Sequence, residues 1–362
     1  MYHFIALTLI PGIGPITGKS LLSYCGSAEQ IFRTKKSQLL KVPGIGEAAA
    51  GAIVNHEVFG RVDEEMAFIE KHKITCFSYL DNDYPKRLKQ FVDAPLILFF
   101  SGNADLNAAK TIGIVGTRKA TEYGRHMCEQ LVEELKDENI LFVSGLAYGI
   151  DIAAHKACVK RNLPNIGVLA HGLDMIYPYA HKETAKKMVQ QGGLLTESLS
   201  QTNPDRQNFP KRNRIVAGMV DGLIVVETAE NGGAVLTALL ANEYNKDVMA
   251  VPGNTTSAVS RGCNALIKTN RAAIIENGSD VLDVLGWRKP DENTVVKQTS
   301  LFNDLSEDEH LIFSLIKDIG EIGIDELTFK SQKTPGTVAG VLLNLEFYGL
   351  IANLPGKRFK LL

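Results

Sequence analysis

Between Ile74 and Gly253 the chain carries eight short apolar runs, and the way they end constrains the fold more than any other feature of the sequence. They read ITCFSYL, LILFFSG, TIGIVG, NILFVSG, IGVLAHG, GLLTES, GLIVVET and DVMAVPG. Rich in Ile, Val, Leu and Phe and without strict alternation, they have the pattern of strands buried on both faces of a parallel sheet. Most end in glycine-rich loops and lead into helical spacing, as in RHMCEQLVEEL and GGAVLTALLANEY. This order predicts a doubly wound α/β domain over residues 69–287. Such sheets bind ligands beyond the carboxyl ends of their strands, and the glycines lie there.

Residues 1–68 read instead as short helices joined by Gly and Pro turns. Within them, IPGIGPITGKSLL resembles a phosphate loop, which needs Gly, four free positions, then Gly-Lys-Ser/Thr. Gly18-Lys19-Ser20 supplies the end, but Ile13 stands where the first glycine should, and the preceding MYHFIALTL has helical rather than strand spacing. A second copy, VPGIGEAAAGAI from Val42, makes the pair resemble tandem helix-hairpin-helix motifs, whose turns aim backbone N–H groups at nucleic-acid phosphates. Two copies favour the phosphate-contacting reading over purely structural turns, and Lys19 and Lys41 are the nearby cations that would assist a phosphate. No ATP hydrolysis is expected.

The polar stretch 288–304 reads as a linker, and 305–362 resembles a winged helix. Ser306 and Glu309 form a capping box, Val338, Val341, Leu342 and Leu345 share one face of the third helix, and a terminal hairpin turns at Pro355-Gly356. That third helix has no basic residue, so the module could serve DNA or protein. In the linker, Gln298, Leu301 and Phe302 look like a peptide that docks on the bacterial replication clamp, but packing of Leu301 and Phe302 on the following helix is the favoured reading.

With 362 residues, 45% hydrophobic and 22% charged, the composition is that of a globular protein. No apolar run reaches membrane-span length and no cleavable leader pattern is visible, so a cytoplasmic location is expected. The five cysteines are scattered without zinc spacing, and neither metal nor cofactor is expected. The net charge is -2, so any affinity for nucleic acid must come from a local basic cluster.

Three loops carry candidates for such a cluster. In GIVGTRKATEYG, Gly116, Thr117, Arg118 and Lys119 leave a strand and Thr121 caps the next helix; Arg118 suits a phosphate or pairs with a carboxylate. The dinucleotide pattern G-x-G-x-x-G is missing there. In VSGLAYGIDIAAH, Asp151 and His155 share a helix face, with Asp151 read as a cap and His155 as packed nearby. In FPKRNRIVAG, Lys211, Arg212 and Arg214 surround Asn213 at a helix start, where cations oppose the macrodipole unless a polyanion binds. Phe209 offers a base a stacking surface.

Taken together, GTRKATEYG, VSGLAYGIDIAAH, FPKRNRIVAG, GGAVLTALLANE, VPG and GCNALI resemble the DNA-processing protein A (DprA/Smf) family. The resemblance implies an extended Rossmann-like fold that binds single-stranded DNA, dimerises, and loads RecA recombinase onto incoming strands during natural transformation, with no enzymatic activity. It implies DNA contacts at Arg118, Arg212, Asn213 and Arg214, and extends the candidate set to Lys182, Gly232 and Gly233. Two departures stand out: His181, before Lys182, replaces the family's Asn after Tyr-Pro, and Asn231-Gly232-Gly233 replaces Ser-Gly-Ser/Thr. The alternative is a hydrolase or transferase of nucleotide-derived ligands, from a distantly similar superfamily with a Pro-Gly-Gly-x-Gly-Thr loop, where this chain has Val235 and Leu236.

Overall fold

A computed structural model of the chain describes residues 1–288 and 305–361. They form two compact units, the first ending at Arg288. All eight apolar runs contain strands: β1 Thr75–Ser78, β2 Ile97–Gly102, β3 Lys110–Gly116, β4 Ile140–Ser144, β5 Asn165–Val168, β6 Gly193–Thr196, β7 Gly222–Val226 and β8 Asp247–Ala250. A two-residue edge strand, β9 Ala273–Ile274, has no counterpart among the runs. The sheet order is β1-β2-β6-β5-β4-β3-β7-β8-β9. From β6 to β9 neighbouring strands are parallel, whereas β2 runs antiparallel to both β1 and β6. The sheet is therefore mostly, not wholly, parallel.

From β3 the chain winds outward through β4, β5 and β6, then returns to β7 beside β3 and winds the other way. This reversal opens a crevice beyond the ends of β3 and β7. Successive strand residues point to opposite faces. Helices Glu122–Glu134, Ile150–Lys160 and Gly278–Val284 cover Ile112, Ile114, Phe142, Ile224 and Val226. Helices Asn208–Met219, Gly233–Glu243 and Arg261–Lys268 cover Val115, Leu141, Val143, Leu223 and Val225. Each such side chain, fully buried, contributes about 1.5–3 kcal/mol.

The N-terminal helices are Tyr2–Leu9, Pro15–Cys25, Ala28–Arg33, Lys36–Leu39, Glu47–Val54 and Phe59–His72. The two Pro-Gly-Ile-Gly turns adopt matching conformations, with φ of +80° at Gly12 and +82° at Gly44, and Gly14 and Gly46 are the N-caps that follow. The first turn follows a helix, so it is not a phosphate loop. Lys19 is already engaged: its Nζ donates to the Phe91 and Val92 carbonyls at 3.0 Å each and lies 4.2 Å from the Tyr79 ring centroid. Gly18 lies against Leu96, whose Cδ1 would be 2.3 Å from a Cβ placed there. The first hairpin's second helix thus faces the sheet domain, and of the two anticipated lysines only Lys41 is left exposed. Leu96, Ile97 and Phe99 join the module's own core of Ile5, Leu7, Leu21, Ile31 and Ile53. A buried polar tie completes the junction: Glu65 accepts from the Ser200 N–H at 3.0 Å and its hydroxyl at 2.5 Å, and Arg61 donates to Glu65 at 2.7 Å.

The second unit has helices Glu307–Ile319, Ile324–Ser331 and Pro335–Phe347 with a three-stranded sheet of β10 Glu321–Gly323, β11 Ile351–Leu354 and β12 Arg358–Leu361. The Ser306 and Glu309 capping box is present, and Val338, Val341, Leu342 and Leu345 are buried as the spacing predicts. Gln298, Leu301 and Phe302 lie outside the described residues.

Candidate nucleic-acid interface

A cleft of about 640 Å³ opens at the carboxyl edge of the sheet. Its floor is the backbone where β3, β4 and β7 end, and glycines let those loops approach. A Cβ at Gly116 would meet the Val226 carbonyl at 2.0 Å, and one at Gly149, whose φ is +81°, would meet the Thr117 carbonyl at 2.0 Å. The β3 loop is pinned from both sides: Thr117 N–H donates to the Glu227 carbonyl at 2.6 Å, and its carbonyl accepts from Ile150 N–H at 3.1 Å. Thr121 caps its helix as expected, and the buried Glu227 carboxylate accepts from Thr121 N–H at 2.9 Å and from its hydroxyl at 2.5 Å. The β7 loop is held in turn by Gly262 N–H on the Thr228 carbonyl at 2.8 Å. Asn264 grips Gly253, donating to its carbonyl at 2.9 Å, so GCNALI and VPG act as scaffold.

Arg118, Arg212 and Phe209 meet in this cleft. Arg118 is exposed, its guanidinium carbon 4.8 Å from the Phe209 ring centroid. No carboxylate of the described residues pairs with it, which removes the ion-pair alternative. Arg212 is only 6% exposed and donates from Nη1 to the Val168 carbonyl at 2.6 Å, while its Nε is buried without a hydrogen-bond partner. Beside it, burial raises the Asp151 carboxyl pKa and the Arg212 charge opposes that rise. Both groups converge on Gly145, where a Cβ would lie 2.0 Å from Arg212 Nη1 and 2.3 Å from Asp151 Oδ2.

Several anticipated roles change. Asp151 makes no capping bond; its Oδ2 accepts from Ala147 N–H at 3.4 Å. His155 is packed as expected, bonded to Asn165 Oδ1 at 2.9 Å and the Gly145 carbonyl at 2.5 Å, and burial lowers its pKa to about 4. Lys211, Arg212 and Arg214 do not converge. Residues on a helix turn about 100° each, so the face carrying Phe209, Arg212, Asn213 and Val216 toward the cleft aims Arg214 away. Arg214 donates instead to Glu197 Oε2 and the Asp93 carbonyl, and Lys211 is exposed outside the cleft lining. Lys119 is exposed, its N–H on Thr117 Oγ1 at 3.2 Å, and Lys182 Nζ lies 5.1 Å from the Tyr179 ring centroid; neither lines the cleft. Gly232 caps helix Gly233–Glu243, and Gly233 has open space before it, so that helix start opens onto the cleft.

Sequence reasoning missed Arg206, which lines the cleft, and Tyr148 and Tyr177, which with Phe209 line an adjoining recess. Tyr148 is 50% and Tyr177 48% exposed, and the Tyr177 and Phe209 rings lie 6.4 Å apart. The tyrosine in LAYG, between two loop glycines, was the available signal.

Three family matches run along the chain: SAM-like helix-hairpin-helix tandem over 4–56, DNA recombination-mediator protein A over 75–286, and DprA winged helix domain over 297–357. DNA processing protein DprA of Streptococcus pneumoniae is 34% identical across 70% of this chain and 96% of its own. An X-ray structure of that protein matches with a TM-score of 0.70 at 30% identity, covering 78% of this chain and 97% of the other. Protein Smf of a Synechocystis strain is 28% identical over 99% of this chain and 98% of its own length. DNA processing protein A of Helicobacter pylori, whose structure was determined for its single-stranded DNA binding mode, matches with a TM-score of 0.54 at 28% identity, covering 59% and 95%.

Proposed function

Because the chain belongs to the DNA recombination-mediator protein A (DprA/Smf) family, we propose that its cleft binds single-stranded DNA and that the protein, acting without catalysis, loads RecA recombinase onto the strand during natural transformation. The observation that carries the reading is the meeting, at the cleft and its adjoining recess, of arginines with no carboxylate of the described residues in ion-pair reach and partly exposed aromatic rings. Arg118 and Arg206 supply positive charge for phosphates, and Phe209, Tyr148 and Tyr177 supply flat surfaces on which bases of any sequence can stack. The orphaned Arg212 Nε is a donor that a bound anion or its water would satisfy. A positive groove with aromatic stacking surfaces is the arrangement by which single strands are held without reading sequence.

Of the carboxylates nearby, Glu243 lines the cleft at the last turn of helix Gly233–Glu243, and the other two face the loops. Glu227 holds the β3 loop and Asp151 faces Arg212, so neither is placed as a free general base. The homologue from Helicobacter pylori supports the choice of single strands. The wider role, including homodimer formation and handover to RecA, rests on family membership. Titrating labelled oligo-dT with the full chain across a salt series tests the central claim. Affinity should fall linearly on log scales with about 0.7 per phosphate contact, and Arg118→Ala should make the slope shallower by about that amount. Absence of binding, or binding indifferent to salt, would overturn it.

A further inference from the structure

Helices Ile150–Lys160 and Lys182–Gln191 both start at the carboxyl edge of the sheet, because each follows a parallel strand and returns to begin the next. They pack side by side, so the furrow between them leads away from the cleft. Its near end is fixed to the cleft wall. Gly149, the N-cap of the first helix, abuts the Thr117 carbonyl, and His181, just before the second, bonds through Nδ1 to the Leu146 carbonyl at 2.8 Å under the Tyr148 ring. Between the two helices lies a groove of about 620 Å³, separate from the cleft lining, with Lys156, Lys160 and Lys187 and with Asn162, Thr184 and Gln190 among its polar walls.

Its charge balance differs from that of an ordinary solvated face. Glu183 is the only carboxylate in the lining, and Lys186 neutralises it at 2.9 Å. Lys160 pairs with Glu129 at 2.7 Å. Lys156 and Lys187 face the groove with no carboxylate of the described residues in ion-pair reach, in a chain whose net charge is -2. Lysines act toward phosphate as point charges on flexible stems, and amides beside them donate to phosphate or sugar oxygens.

We propose that this groove is a second phosphate track, which receives the single strand as it leaves the cleft. The proposal rests on the single-stranded DNA reading of the cleft and adds a direction of exit to it. The test compares oligo-dT of about 6 and about 20 nucleotides, below and above a single-site footprint, on the full chain carrying Lys156→Ala with Lys187→Ala. The short oligonucleotide should bind as to the unaltered protein. For the long one, losing two contacts lowers the salt slope by about 1.4, so the affinity drop between about 50 and 200 mM salt shrinks about sevenfold. Unchanged binding of the long oligonucleotide, or equal weakening of both lengths, would overturn the track. Arg118→Ala separates the two claims: if it weakens both lengths while the double variant changes neither, the cleft reading stands and the track falls. If the unaltered protein binds neither length, both fall.

Discussion

Two arginines of FPKRNRIVAG and GTRKATEYG look alike on paper and should behave in opposite ways. Arg118 is exposed beside Phe209, whereas Arg214 is 13% exposed and donates to Glu197, itself 24% exposed. Removing one partner of a buried ion pair costs about 3–5 kcal/mol because the other charge is left uncompensated. Both side chains keep some water, so the lower end applies, about 3 kcal/mol. At about 2–4 °C per kcal/mol for a domain this large, Arg214→Ala should lower the unfolding midpoint by about 6–12 °C. Burial already pushes the Glu197 carboxyl above its ordinary pKa, with Arg214 pulling it back. Without Arg214 the folded pKa rises further above the unfolded one, the folded state holds an extra proton, and stability falls as pH rises. The deficit should therefore be larger at pH 8 than at pH 5. Arg118→Ala should leave the midpoint within about 2 °C, as exposed substitutions do, while lowering oligo-dT affinity and its salt slope. Thermal melts at the two pH values, with binding measured on the folded proteins, decide the matter. An Arg214→Ala protein as stable as its parent but impaired in DNA binding would refute the reasoning.

Phe209→Ala should cost about 1–3 kcal/mol of oligo-dT affinity with little change in salt slope, read by the same titration. Gly145→Ala would push a methyl group into the Arg212 and Asp151 side chains and should reduce both binding and thermal stability, whereas alanine at Gly233, which faces open space, should reduce neither by steric means. His155, with its folded pKa near 4 against about 6.5 unfolded, contributes stability that is lost as pH falls through that window, up to about 3 kcal/mol; denaturant titrations should show that His155→Gln removes this part of the pH dependence. Because Lys19 is spent on the Phe91 and Val92 carbonyls, Lys19→Ala should lower the melting temperature, and a phosphate-release assay should detect no ATP turnover in either protein.

Much of the sheet was legible because strands buried on both faces leave unbroken apolar runs, and that signal survives without knowledge of the partners. It fails for β9, where two residues are too short to carry a pattern. It is also silent on direction, since LILFFSG reads the same whether its neighbour runs parallel or, as β6 does, antiparallel. The cleft was legible where backbone must approach backbone, at Gly116 and Gly149, and where buried side chains crowd a glycine, at Gly145. It was not legible where an outcome depends on azimuth: Arg212 and Arg214 are neighbours in sequence yet about 200° apart around the helix. Lys19 was misjudged for a related reason, as the carbonyls it serves lie some seventy positions away.

The junction between the N-terminal helices and the sheet also sets a timetable. Glu65 reaches its partner Ser200 across 135 residues of chain. At a synthesis rate of about 5–20 residues per second, the helices leave the ribosome on the order of ten seconds before that partner exists. During this interval the carboxylate has Arg61 on its own helix but not Ser200, and Leu96, Ile97 and Phe99 have emerged without β6, the strand that β2 pairs with. The nascent chain is most exposed to holdase capture and to misassociation in the stretch between the emergence of His72 and that of Ser200.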